Sequence, residues 1–199
     1  MIVSWESWLP AVLLVGCLTS FMWAMSSFFT QPVGHMAGKR LISVCGVMFG
    51  TQHLYAVLFS SNLTAERSLA GSALYVSSAG LFWWAIKTSR PHPLSTAFSS
   101  DLPTHLVAHG PYRLIRHPLY CSYLICWLAG WVVTVSPWLA PSVVVMFIIY
   151  LRAAAHEEQK FMRSPVTNAY RHYRSRTGFL VPGPLKLLSS WRASHRGNL

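Results

Sequence analysis

The chain has 199 residues, of which 53% are hydrophobic and only 11% charged, whereas soluble domains carry about a quarter charged residues. Sixteen Lys and Arg against five Asp and Glu leave a formal net charge of +11. Those figures fit one membrane-embedded domain rather than a soluble one, and no RNA- or DNA-binding motif accompanies the charge, so no nucleic-acid partner is expected.

A spanning helix needs roughly 20 mostly apolar residues. Residues 9–29 hold no Asp, Glu, Lys or Arg and predict the first span. No basic residue precedes that run in MIVSWESWLP, so a secretory leader is not expected. Gly16, Ser20 and Ala24 recur there at four-residue spacing, a small face onto which a neighbouring helix would close. Residues 41–60 predict the second span. Its Gln52 and His53 sit amid apolar side chains and are expected to hydrogen-bond across helices. Asn62-Leu63-Thr64 fits the glycosylation pattern, but so short a loop makes chance the better explanation. Residues 68–86 predict the third span. Residues 87–118 form the longest connection, and long loops in compact proteins often carry function. Residues 119–151 are apolar but broken by SPWLAP, which predicts two helices meeting in a tight turn at Ser136-Pro137, the second running over 138–155. Cys17, Cys45, Cys121 and Cys126 all fall in predicted helices and none in a CxxC, as expected of small packing residues.

The fold class expected is all-α, a polytopic membrane protein with about five transmembrane helices. Basic residues gather on the cytosolic side of membrane proteins. With the N-terminus outside, fifteen of the sixteen Lys and Arg fall on the inner side, and Arg67 alone falls outside. The expected organisation is a single domain. Residues 1–87 hold three spans, 88–183 hold the polar clusters, and 184–199 form a basic tail in which Leu187, Leu188 and Trp191 would anchor at the lipid interface.

Three polar clusters converge on the inner face. The first is HGPYRLIRHPLY, residues 109–120. Pro118 suits the first position of a helix, where its missing N–H costs nothing. The helix dipole and the free N–H groups beside it favour an anion, and Arg113, Arg116 and His117 add donors. The second is HEEQKF, residues 156–161, with Glu157 and Glu158 side by side at the end of an apolar helix. Such carboxylates serve as ligands for hydroxyl, amine or sulfonium groups, or pair with Arg152 or Arg163. The third is YRHYRSRTGFLVPG, residues 170–183. His105, His109 and His117 lack the Cys or carboxylate companions of a zinc site, so no metal is expected.

Taken together, GPYRLIRHPLY, then EEQKF, then YRHYRSRTGFLVPG resemble the isoprenylcysteine carboxyl methyltransferase family, part of a wider group of integral-membrane methyltransferases that includes the phospholipid N-methyltransferases. The resemblance covers residues 104–183. It implies a helical membrane fold with an S-adenosylmethionine site on the cytosolic side and a lipophilic acceptor entering from the bilayer. Carried over, Leu106, Val107, Tyr112, His117, Pro118, Leu119, Tyr120 and Glu157 would hold the cofactor, and Arg116, a donor beside Pro118, is expected to join them. Where the prenylcysteine enzymes carry an Arg four residues before the acidic pair, this chain has Ala153. Arg152 lies one residue away, rotated by about 100° on a helix, and is the candidate for substrate binding.

The expectation is therefore S-adenosylmethionine-dependent methyl transfer to a lipophilic small-molecule acceptor at the cytosolic face of a bacterial inner membrane or the endoplasmic reticulum. A carboxylate acceptor needs no base; for an amine or hydroxyl, Glu158, His156 or Tyr173 are the candidates. Membrane lipids are the other partners expected, and no obligate protein partner is evident. Two further readings are an NADPH-dependent enzyme like the membrane sterol reductases, which share an RHPxY-like stretch and a Tyr-rich tail, and a non-catalytic membrane protein.

Overall fold

The computed structural model describes residues 4–29, 37–61, 63–91 and 102–183. Asn62 and the basic tail from residue 184 lie outside the described residues. Among the described residues six helices follow one another: α1 (Trp5–Trp23), α2 (Ala37–Phe59), α3 (Ala65–Ser89), α4 (Pro118–Thr134), α5 (Ala140–Met162) and α6 (Thr167–Arg176). A π-helical turn, Ala24–Phe28, prolongs α1, and short 3-10 turns at Gly110–Arg113 and Pro137–Leu139 precede α4 and α5. The all-α expectation is met.

Four stretches of the described residues are long and apolar enough to cross a membrane: Trp5–Phe28, Arg40–Phe59, Ala65–Ser89 and Pro137–Met162. The fifth, α4, has 17 residues, a rise of about 25 Å, and is the helix most enclosed by protein. It packs chiefly on α3, with α5 on its other side; α1 lies on α3, and α2 lies beside α1.

Sequence sets the ends of these helices. Thr64 caps α3, its hydroxyl accepting from the Arg67 N–H at 3.3 Å. Pro118 occupies the first position of α4, with His117 as its N-cap. Val135 ends α4 in a left-handed conformation at φ 47°, so the expected turn at Ser136-Pro137 begins one residue early. Helix α5 runs seven residues past the predicted limit at 155, to Met162. Its apolar run stops there, but Ala, His, Glu, Gln and Lys propagate a helix well enough.

Buried side chains fall into two clusters. One surrounds Leu14, Cys17, Val57, Tyr75, Cys126 and Val133. The other, at the end of the bundle where α4 begins and α5 ends, holds Phe82, Val107, Tyr112, Leu119, Tyr123, Trp127, Met146 and Tyr150. The polar pair in α2 bonds across helices as expected: His53 Nε2 lies 2.8 Å from Ser142 Oγ, and Gln52 Nε2 donates to the Trp138 carbonyl at 2.8 Å. Both tie α2 to α5.

The small face of α1 is met only in part: Ala24 is fully buried in the core. Gly16 is exposed, with nothing within 4 Å of the place a Cβ would take. The small residues that admit a neighbour are on α3, where Ser68, Gly71, Ser72 and Ser78 are buried. A Cβ at Gly71 would meet Val133 of α4 at 2.1 Å. The period of small residues marks a face of α1 but not which neighbour it meets.

Candidate functional site

The three polar clusters meet at one end of the bundle. Their meeting depends on residues 177–183, a strap that leaves α6 and returns to the start of α4. Gly178 and Ile115 form a parallel bridge. The Arg116 N–H donates to the Gly178 carbonyl at 2.8 Å, the His117 N–H to the Phe179 carbonyl at 3.3 Å, and the Gly178 N–H to the Leu114 carbonyl at 3.2 Å. Gly178 is required by close approach: a Cβ there would lie 1.6 Å from the Val181 carbonyl oxygen. Gly110 is required by conformation, at φ +57°, and a Cβ would also meet the Thr88 side chain.

Arg116 is the hub. Its Nε donates to Glu158 Oε1 at 2.6 Å. Its Nη1 donates to the carbonyls of Thr177 and, at 3.2 Å, Arg174. Its guanidinium also lies 5.5 Å from the centre of the Phe179 ring. Both side chains of the Arg116–Glu158 pair are close to 10% exposed. Neither Arg152 nor Arg163, which are near the acidic pair in sequence, pairs with Glu158. The partners are Arg116 and, at 3.5 Å, Arg174.

His117 stands between the two acids. Its Nδ1 is 3.5 Å from Glu157 Oε2 and its Nε2 is 3.5 Å from Glu158 Oε1. The Nε2 contact is close enough for an ion pair but is not aligned as a hydrogen bond. Burial opposes charge on this ring, but the two carboxylates outweigh it and raise its pKa above the usual imidazole value. The Tyr120 hydroxyl donates to Glu157 Oε1 at 2.7 Å. The sequence reading assigns an external anion to the start of α4. Instead, the anions held there are the chain's own Glu157 and Glu158.

The two acids therefore differ in role. Glu158 is committed to Arg116. Glu157 accepts from one tyrosine and keeps 26% of its side chain exposed. Beside it, aromatic rings form a wall: Tyr120 stacks on Tyr150 with centroids 5.7 Å apart, and Tyr123 lies 5.3 Å from Tyr150. The buried hydroxyls of Tyr112 and Tyr123 have no hydrogen-bond partner among the described residues. Burial raises the Tyr112 phenol above its ordinary pKa, so it stays protonated and able to donate. Orphaned buried hydroxyls of this kind call for a ligand or water.

Of the residues singled out from sequence, Val107, Tyr112, Arg116, His117, Pro118, Leu119, Tyr120 and Glu157 gather here. Val107, Tyr112 and Leu119 are buried in one core cluster. Leu106 is half-buried next to Val107, and His156 and Arg152 lie on exposed faces of α5. Tyr173 is buried, and its hydroxyl donates to the Tyr112 carbonyl at 2.7 Å. Phe179 and Arg174 were not singled out. Phe179 packs edge-on against His117 at 4.9 Å. The signal that could have found them is Gly178, which in a helix-rich chain marks a turn back. Among the described residues no cluster of three or more His, Cys, Asp or Glu side chains is placed to hold a metal.

Residues 66–166 match the sequence profile of the family described as phospholipid methyltransferase. That match runs from the start of α3 to just beyond α5 and includes Arg116, His117, Tyr120, Glu157 and Glu158. A search of the curated proteins finds no match to the chain.

Proposed function

The chain belongs to the phospholipid methyltransferase family, and from that premise we propose that it transfers a methyl group from S-adenosylmethionine to a lipophilic acceptor at the membrane surface. The family and the apolar helices fit a multi-pass membrane methyltransferase.

The observation that carries the reading is the pairing of one committed acid with one available acid, next to orphaned buried hydroxyls. S-adenosylmethionine offers an amine and ribose hydroxyls as donors, a carboxylate as acceptor, and a sulfonium. Glu157 suits the amine or the ribose hydroxyls. The Tyr112 and Tyr123 phenols are donors without acceptors and suit the carboxylate. The faces of Tyr120 and Tyr150 suit the sulfonium, since aromatic faces attract cations. Leu106 and Val107 suit the adenosyl part. The donor set of the site thus fits the group. When bound, the cofactor would supply an electrophilic methyl on sulfur. The chain's part is to hold the partners in line, and positioning supplies most of the rate in such a transfer.

Glu158 and Tyr173 are both engaged in holding the frame, through Arg116 and the Tyr112 carbonyl. His156 lies on the exposed face of α5. That distribution favours an acceptor that is nucleophilic on arrival and needs no strong base.

Thermal unfolding of the detergent-purified chain tests this. A ligand at about 100 times its dissociation constant stabilises by about 2.7 kcal/mol. S-adenosylmethionine and its demethylated product should both raise the melting temperature, and Glu157→Gln should lose most of that rise. A rise with NADPH alone would move the chain to the reductase reading. No response to any of them in lipid nanodiscs would leave the clusters as a structural clasp.

A further inference from the structure

Both carboxylate oxygens of Glu157 are engaged within the chain. Oε1 accepts from the Tyr120 hydroxyl at 2.7 Å, and Oε2 faces His117 Nδ1 at 3.5 Å. The second contact is the looser one, and it depends on a charge. The His117 ring is faced by Glu157 and Glu158 from α5, by Tyr120 from its own helix and by Phe179 from the strap. Behind these stand Arg116, bonded to Glu158 at 2.6 Å, and Arg174, 3.5 Å from the same carboxylate. The phenols of Tyr112 and Tyr170 lie near the two acids. Arg116 balances Glu158, which leaves His117 as the cation against Glu157. The ring is only 6% exposed, so water does little to keep it charged.

A buried imidazole holds a second proton only while carboxylates face it, since burial opposes its charge and here the two acids outweigh burial. A second cation on Glu157 removes half of that support. It also places a like charge close to the ring, and like charges in a site of low dielectric disfavour the charged form. S-adenosylmethionine carries two cations, an ammonium and a sulfonium, against one carboxylate, and its ribose hydroxyls carry no charge. The two kinds of donor that suit Glu157 therefore differ in what they do to His117. An ammonium replaces the imidazolium, whereas a hydroxyl sits beside it.

We infer that Glu157 exchanges partners as the site fills, giving up the His117 imidazolium for the ligand's ammonium, and that His117 loses a proton in the same step. The Nδ1–H bond breaks, its electron pair stays on the ring nitrogen, and the proton passes to bulk water. The remaining N–H, on Nε2, stays on the side of Glu158, which remains paired with Arg116. The inference rests on the methyltransferase reading and assigns Glu157 to the ammonium rather than to the ribose. His117 is then a positioning residue, the resident counter-ion that keeps a part-buried carboxylate charged and aimed until the ligand arrives. Wherever His117 starts out charged, affinity should rise about tenfold per pH unit, because one proton leaves for each ligand that enters.

The test is calorimetric titration of the full chain in lipid nanodiscs at about pH 6, where a free α-amino group is already charged and the ligand has no proton of its own to give up. Each titration is run in MES and in Bis-Tris, which take up a proton with different heats, so that the difference counts protons. S-adenosylmethionine and its demethylated product should each release about one proton per site. Methylthioadenosine, which keeps the base and ribose but lacks the amine and carboxylate, should release none. His117→Gln should abolish the release, and His156→Gln, on the exposed face of α5, should leave it unchanged. A count near zero for S-adenosylmethionine in the wild type would overturn the inference, and so would an equal count for methylthioadenosine or a full count in His117→Gln. If His117→Gln does not fold, the wild-type comparison of the two ligands decides alone. Binding without proton release sinks this inference and leaves the methyltransferase reading standing; no binding by any of the three sinks both.

Discussion

Arg116 directs its guanidinium to one buried carboxylate and two carbonyls. Removing one member of a buried pair leaves the other charge without compensation, at a cost of roughly 3 kcal/mol. Arg116→Met should therefore lower stability by about that amount in denaturant melts, and Arg116→Lys should recover little, since a point charge cannot serve three acceptors at fixed angles. His117 gives a pH test. Its pKa in the folded chain is raised above the ordinary 6.5. Its ion pairs with Glu157 and Glu158 thus contribute fully below pH 6.5 and fade as pH rises through the raised value. Melting temperature should fall over that alkaline step in the wild type, and the step should be absent in His117→Gln; the same step in both would assign it elsewhere. These residues were legible as a cluster because Arg, His, Pro and Tyr are rare beside a long apolar run. Their partners were not. Residues near the acidic pair in sequence, Arg152 and Arg163, are the natural candidates for pairing, whereas Arg116 is 42 positions away.

Elements were legible to the extent that burial in lipid dictates them. A run of twenty apolar residues has few other fates, so α1, α2 and α3 stand close to where the sequence puts them. The polar end of α5 was not legible from apolarity, because its last two turns face protein and solvent. Nor was the strap, whose placement rests on backbone bonds that any sequence can make and on the one glycine that fits. Gly178→Ala should displace residues 177–183 from the start of α4, because a Cβ has no room against Val181. The variant should keep its helical circular dichroism while its S-adenosylmethionine response weakens at least tenfold; an unchanged response would show that the strap is dispensable. Tyr173→Phe removes one buried hydrogen bond to the Tyr112 carbonyl and should cost about 1 kcal/mol.

At the scale of the molecule, α4 decides the topology: if it crosses together with the four longer stretches, the number of spans is odd and residues 4 and 183 lie on opposite sides of the membrane. Reporter fusions at residue 4 and after residue 183 should read opposite compartments, with the basic side cytosolic. Matching compartments would mean that α4, the shortest of the five, does not cross. One consequence of the strap concerns biosynthesis. Chains emerge from the ribosome N-terminus first, and folding there is progressive. The carbonyl partners of Arg116 at 174 and 177 and the ring of Phe179 come from the last residues of the described fold. During synthesis, Glu158 therefore meets Arg116 while that guanidinium still lacks its other acceptors. The helices α1 to α5 can be inserted and packed before the acid–base cluster is locked. A ribosome stalled after Met162 but before residue 179 would leave an inserted bundle without a finished site, so that competence is conferred in one late step rather than accumulated along the chain.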